Sequence, residues 1–200
     1  MEWRDVTVDQ FCKIEEYLED GGKEDNNVIQ AINMLAILND QEVEYYAKMP
    51  ISELTRCIHE LDFMQSTPQA ALVKNRYVIN GRTYELNTTF AQFTAAQYID
   101  YQMYAEEPKK NRKQILSIFL IPKGKKYNEG YDIQQVIDDA GYLPIEDCYG
   151  ISFFLFKILN ALTRTTLSSA VKKTKKEMKK IQDNEKRKIL LDGLTKLLNG

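Results

Sequence analysis

The stretch Tyr77-Val78-Ile79-Asn80-Gly81-Arg82-Thr83-Tyr84-Glu85-Leu86 decides the reading of the chain. Two short runs of strand-like character flank Asn80-Gly81. That dipeptide readily takes the two positive φ angles of a two-residue hairpin turn. One β-hairpin is therefore expected over about residues 76–87. A lone hairpin is marginal in water, so it must pack on something. The segments on either side read as helices, and these are its expected support.

Upstream, Thr7 and Gln10 have the spacing of a capping box, and Phe11, Ile14 and Leu18 follow on one helical face. Gly21-Gly22 should stop that helix. A second is expected from about Asn27 to Leu38, with Val28, Ile32 and Leu35 on its buried stripe. Asp40 is expected to cap a short third helix through Tyr46 and Ala47, which Pro50 should end. Ser52 is expected to cap a fourth, carrying Leu54, Ile58 and Leu61, with Ile51 as a staple outside the cap.

Downstream, Thr94 and Gln97 repeat the capping-box spacing, and the helix after them holds Tyr98, Ile99, Tyr101 and Met103. The apolar run Ile115 to Ile121, ended by Pro122, reads as a buried helix. Asp132 should begin a short helix that Gly141 ends. Ile151 to Phe156 is apolar nearly all round, which predicts a place deep in the core. The expected fold is mainly α: a helical body with one hairpin and a long C-terminal helical region. Its divisions are an acidic helical unit at 1–66, a hairpin and helical core at 67–167 packed with it as one body, and a basic helical tail at 168–200.

Charge follows the same divisions. Residues 1–62 hold 5 basic and 15 acidic side chains, whereas residues 164–200 hold 11 and 4. Front and tail can attract each other, within one chain or between copies. The 44% hydrophobic and 28% charged content excludes disorder of the whole chain. Cys12, Cys57 and Cys148 are odd in number and lack CxxC spacing, so they read as small hydrophobes in a reducing compartment. No signal peptide or membrane span is legible.

No catalytic constellation is legible either. His59 stands alone, without the convergent ligands a metal needs or the third group that orients a catalytic imidazole. Glu15-Glu16, Glu106-Glu107 and Asp138-Asp139 are adjacent pairs, which point about 100° apart on a helix and read as solvated faces. Lys123-Gly124-Lys125-Lys126 lacks the GxxxxGK[ST] pattern of a phosphate loop and follows an expected helix rather than a strand. No catalytic residue, metal or cofactor is expected, and the chain reads as a binding protein rather than an enzyme.

Two features point to partners. Lys172, Lys173, Lys175, Lys176, Lys179, Lys180, Lys186, Arg187 and Lys188 form a basic stripe that reads as a solvated helix face, or as a surface for an acidic protein or for DNA phosphates. No aromatic residues interleave it, so bases find no stacking platform there. Several of the twelve tyrosines cluster in the middle of the chain; they read either as ordinary partly buried residues or as interface residues, because tyrosine buries area while keeping a polar tip. The candidate interaction residues are Tyr98, Tyr101, Tyr127 and Tyr131, with Lys172, Lys176 and Lys179 for an acidic partner.

The block Met49-Pro50-Ile51-Ser52-Glu53-Leu54, the hairpin stretch, Thr94 to Gln102, Leu116 to Gly124 and Tyr127 to Ile133 together resemble small proteins from the structural gene clusters of tailed bacteriophages of gut bacteria. Many of those are tail assembly chaperones or virion-associated proteins. The resemblance covers roughly residues 1–160. It implies a non-enzymatic assembly role, holding a tape-measure protein soluble and recruiting tail-tube subunits, in the cytoplasm of the infected bacterial host. The alternatives are a structural virion component (neck, ring, tail or packaged protein, against portal-associated partners) and a nucleic-acid-binding protein using the basic tail. A homo-oligomer is compatible with each.

Overall fold

The computed structural model describes residues 1–23, 25–86 and 93–158. It is mainly helical with a small antiparallel sheet. Residues Met1–Phe154 form one compact unit and Leu155–Gly200 a second. Of the second unit only 155–158 are described, and they are helical. The basic tail, with Lys172, Lys176 and Lys179, lies outside the described residues, as does the rest of the expected C-terminal helical region.

The N-terminal elements are α1 (Val8–Tyr17), α2 (Asn27–Asn39), α3 (Val43–Ala47) and α4 (Ile51–His59). The Thr7–Gln10 capping box forms in both directions and satisfies two backbone donors that a helix start would leave open. Gly21, at φ 109°, carries the turn after α1. Leu35, Ala36, Tyr46 and Leu54 make a small core for α2, α3 and α4, joined by Ile32, Met49, Cys57, Ile58 and Leu61.

Several caps differ from expectation. Asp40 does not begin α3. It adopts the left-handed conformation and ends α2, where its N–H bonds the Ala36 and Ile37 carbonyls. Glu42 precedes α3 instead. Pro50 caps α4 rather than terminating α3, so Ser52 lies inside the helix. Proline suits this edge because its missing N–H would be unpaired there anyway. Ile51 thus becomes the first helical residue and is 71% exposed instead of acting as a staple. Val28, in the first turn of α2, is also exposed, although Leu35 on the same stripe is buried.

The hairpin forms as read: β1 (Arg76–Ile79) and β2 (Arg82–Leu86) pair antiparallel, Ile79 opposite Arg82. Asn80 (φ 48°) and Gly81 (φ 74°) supply the turn. Then come α5 (Ala95–Tyr104) and α6 (Arg112–Phe119). The expected helix through Ile121 stops two residues early. Leu120–Pro122 is a third strand, β3, pairing with β2 to give the order β1-β2-β3. Proline disfavours helical backbone in the residue before it, and the outer edge of β2 offers unpaired groups that an extended Leu120–Pro122 satisfies.

The helix α7 (Ile133–Ala140) is capped by Asp132, and residues 145–154 form a last helix, α8, within the first unit. Leu116 to Leu120 are all buried, which places the centre of the core at the α6–β3 junction. The N-terminus pairs with the segment after α7: Val8 N–H donates to Leu143 and Ile145 N–H to Val6, each at 2.8 Å. Trp3 donates its indole N–H to the Ser66 carbonyl and stands edge-on to Phe11 and Phe63. Ile151 to Phe156 is not uniformly deep. In the first unit Ile151 is buried and Phe153 exposed; in the second Leu155 is buried and Phe156 exposed.

The acidic front meets cations from the middle of the chain. Arg112 donates to Glu15 at 2.8 Å and lies 5.1 Å from the Phe11 ring centre, while Lys113 pairs with Asp9 at 2.7 Å. Burial opposes the Arg112 charge, but the bond to Glu15 outweighs it and holds the guanidinium protonated.

Candidate functional site

The candidate surface is built on α5. Thr94 accepts from the Gln97 N–H, and the Gln97 side chain accepts from the Thr94 N–H, so the second expected capping box also forms. Gln97 does more than cap. It is buried, and its amide donates at 2.9 Å to the carbonyl of Ile118, one of the last residues of α6. A helix end leaves such carbonyls without internal partners. Gln97 therefore fixes which face of α5 turns inward.

The geometry of the helix follows from that anchor. Gln97, Tyr101 and Tyr104 lie on the inner side. Tyr101 packs edge-on to Phe119 at 6.3 Å, and burial raises its phenol, with Tyr98 adding to the effect. The opposite side carries Ala95, Tyr98, Ile99, Gln102 and Met103, all exposed. Ile99 is 66% and Met103 55% exposed, so a four-residue spacing places two large apolar side chains in water on one face.

The four candidate tyrosines divide. Tyr98 stands on the outer face. Tyr101, Tyr127 and Tyr131 are half-buried. The Tyr127 hydroxyl donates to Asp100 of α5 at 2.6 Å, and burial together with that carboxylate pushes its pKa far up. The Tyr131 hydroxyl oxygen accepts from the Asn128 N–H at 3.1 Å. Tyr127 thus ties the 123–132 loop to α5, and Tyr131 braces the loop itself. The sequence places Ile99 and Met103 on this helix but does not mark them as contacts. Both sides of α5 look apolar there, and nothing in the spacing says that a glutamine marks the buried one.

Beside this surface a cleft of about 710 Å³ is bounded by Thr94, Gln97, Ile121, Lys125, Lys126 and Tyr127, among others. The Lys123–Lys126 loop follows strand β3, not a helix, and turns at Gly124 with φ 76°. It still lacks the phosphate-loop pattern.

The remaining candidate groups sit as follows. His59 is on the surface, 3.5 Å from Asp62. Cys148 is buried and Cys12 and Cys57 partly so, all as free thiols. Burial raises the thiols of Cys12 and Cys148. Asp139 departs from the solvated reading of its pair. It is 1% exposed and accepts from the Tyr84 hydroxyl, from Asn80 at 2.9 Å and from Arg82 at 3.0 Å. Burial alone would raise its carboxyl, but these hydrogen bonds and the Arg82 charge hold it below the usual range. Gln135, one turn earlier on α7, adds a longer bond at 3.4 Å, and the other three donors join α7 to the hairpin, so the arrangement is a structural junction.

Among the described residues no cluster of histidine, cysteine and carboxylates could hold a metal ion, and no helix is long and apolar enough to cross a membrane. No family model, curated protein or solved structure matches the chain.

Proposed function

We propose that this chain is a non-enzymatic assembly protein of a tailed bacteriophage, chaperone-like, acting in the infected bacterial cytoplasm through protein–protein contact. The observation that carries the reading is the outer face of α5, where Tyr98, Ile99 and Met103 stand exposed on a helix anchored from behind by Gln97 and Tyr127. An apolar stripe held on a fixed helix suits a client helix that offers its own apolar stripe, as a tape-measure protein would before it is packed into a tail. The charged remainder of the surface keeps such a complex in solution. The sequence resemblance supplies the class of client. Tyr98 is then a direct contact, and Tyr101, Tyr127 and Tyr131 support the face from behind.

Co-expression with the tape-measure and tail-tube proteins of the same phage tests this. The wild-type chain should keep the tape-measure protein soluble and co-purify with it. The Ile99→Asp/Met103→Asp variant should lose both while its own thermal unfolding stays unchanged. A client equally soluble with the variant, or without the chain, would overturn the reading.

A further inference from the structure

A separate feature lies at the free edge of the sheet. In the order β1-β2-β3, strand β1 has β2 on one side and, among the described residues, no strand on the other. The register fixes where its backbone groups point. Ile79 faces Arg82 across a two-residue turn, so Ile79 and, two residues back, Tyr77 exchange hydrogen bonds with β2. The bond from Leu86 N–H to the Asn75 carbonyl at 3.0 Å continues the same alternation. Thr83, opposite Val78, turns its carbonyl the other way and accepts from Lys123 at 2.9 Å. The N–H and C=O groups of Arg76 and Val78 therefore point outward, and no described residue pairs with them. The Val78 side chain is 71% exposed on the same strand.

This edge is bordered by a groove rather than by open solvent. A cleft of about 410 Å³ is lined by every residue from Arg76 to Asn80, by Tyr142, Leu143 and Pro144, and by Lys74 with Asp147. No β2 residue lines it, which puts it on the unpaired side of β1. Lys74 and Asp147 close one end with a 3.2 Å ion pair. Tyr142, 59% exposed, stands on the far wall.

We infer that β1 accepts a single extended segment of another polypeptide as a fourth strand, antiparallel to it, with an apolar side chain opposite Val78 and a carboxylate opposite Arg76, which would share the Arg76 guanidinium with Glu85, now 3.2 Å from it. Outward backbone groups supply the pairing and alternate side chains the selectivity, as in other strand-addition sites. A second copy of the chain is the poorer occupant. The wall at Tyr142–Pro144 obstructs the approach of another sheet. A four-residue edge also buries far less than the roughly 800 Å² per partner that a stable dimer needs. A slim peptide meets neither obstacle. The inference is independent of the α5 face, since it uses different residues.

The test is amide NMR of the full chain titrated to millimolar concentration with the capped peptide Thr-Val-Thr-Glu-Thr. The expected result is shifts centred on the Arg76 and Val78 amides, with their exchange against solvent slowed several-fold. The same peptide N-methylated at its valine and glutamate should do nothing, because those N–H groups are the ones that face the edge. Val78→Pro should also abolish the effect while keeping the hairpin, since the Val78 N–H is not used by β2. Three results would overturn the inference. One is an absence of shifts on β1, and another is equal binding of the N-methylated peptide, a control that needs no variant. The third is a wild-type dimer that Val78→Pro splits, which would assign the edge to a second copy.

Discussion

The carboxylate of Asp139 on α7 accepts the phenolic hydrogen of Tyr84 on β2, and both residues are about 1% exposed. With Asn80 and Arg82 donating to the same group, one side chain holds the hairpin turn, the second strand and α7 together. Removing it leaves a buried hydroxyl and an arginine without their acceptor. Asp139→Ala should cost about 3 kcal/mol, the lower end for breaking a buried charged pair, because the Arg82 side chain is half in water. Urea unfolding of the two proteins measures this. A loss under about 1 kcal/mol would mean that water replaces the carboxylate without penalty.

The same carboxylate makes stability depend on acidity. Its folded-state pKa lies below the unfolded value because the Tyr84, Asn80 and Arg82 bonds outweigh burial. Its contribution is therefore fully present above the ordinary aspartate range, near pH 4, and is lost as pH falls through the depressed folded value. The wild type should lose stability more steeply than Asp139→Asn on acidification below about pH 4. Parallel curves for the two proteins would remove Asp139 from the account of acid unfolding.

Asn80 has two roles that separate experimentally. It takes a positive φ in the turn and donates to Asp139. Asn80→Gly keeps the backbone and loses the donor. Gly81→Ala keeps the donor and forces an L-residue to φ 74°, at a cost of about 1–2 kcal/mol. Nothing lies within 4 Å of an added Cβ at Gly81, so the whole cost there is conformational. If both variants unfold at the wild-type temperature, neither the turn strain nor the Asp139 bond contributes as argued.

The hairpin was legible because its signal is local: Asn80-Gly81 needs no knowledge of the rest of the fold. The capping boxes at Thr7–Gln10 and Thr94–Gln97 were legible for the same reason. Asp139 was not. Asp138 and Asp139 look alike in sequence, and only one is turned inward, toward donors 55 to 59 residues away. The third strand is hidden for a related reason: Leu120 and Ile121 continue an apolar run, Pro122 disfavours helix only at the residue before it, and the open edge of β2 that draws both residues out is not visible in sequence. On α5, periodicity gave two apolar sides, and the anchor that chose between them is the bond from Gln97 to Ile118. The tyrosines were visible as a set, but their division into one exposed residue and three supporting ones depends on that choice.

Gln97 offers a sharper test of helix docking than any apolar residue of α5. Its carbonyl serves the Thr94 N–H and its amide serves the Ile118 carbonyl. Gln97→Glu keeps the acceptor for the cap and removes the donor to α6. Gln97→Ala removes both. Each should destabilise, the alanine by about 2–3 kcal/mol, combining the lost acceptor for the Thr94 N–H with a buried unpaired carbonyl. The glutamate variant should recover partly as pH falls and its carboxyl gains a hydrogen to donate. An alanine variant with the same pH response would show that the recovery arises elsewhere.

Gly150 lies where α8 meets the extended segment that leads into the hairpin. Ala71 donates its N–H to the Glu146 carbonyl at 2.9 Å, and a Cβ built on Gly150 would fall inside contact distance of the Ala71 carbonyl oxygen. Alanine has the better helix propensity by about 1 kcal/mol, so on an isolated helix Gly150→Ala would stabilise. Here the obstructing atom is backbone, which cannot swing aside like a side-chain tip. The overlap should exceed the propensity gain and leave Gly150→Ala net destabilised by about 1–2 kcal/mol. Calorimetry decides the sign. A raised melting temperature would mean that the 67–74 segment moves off α8 freely, and that its approach is not what demands glycine at this position.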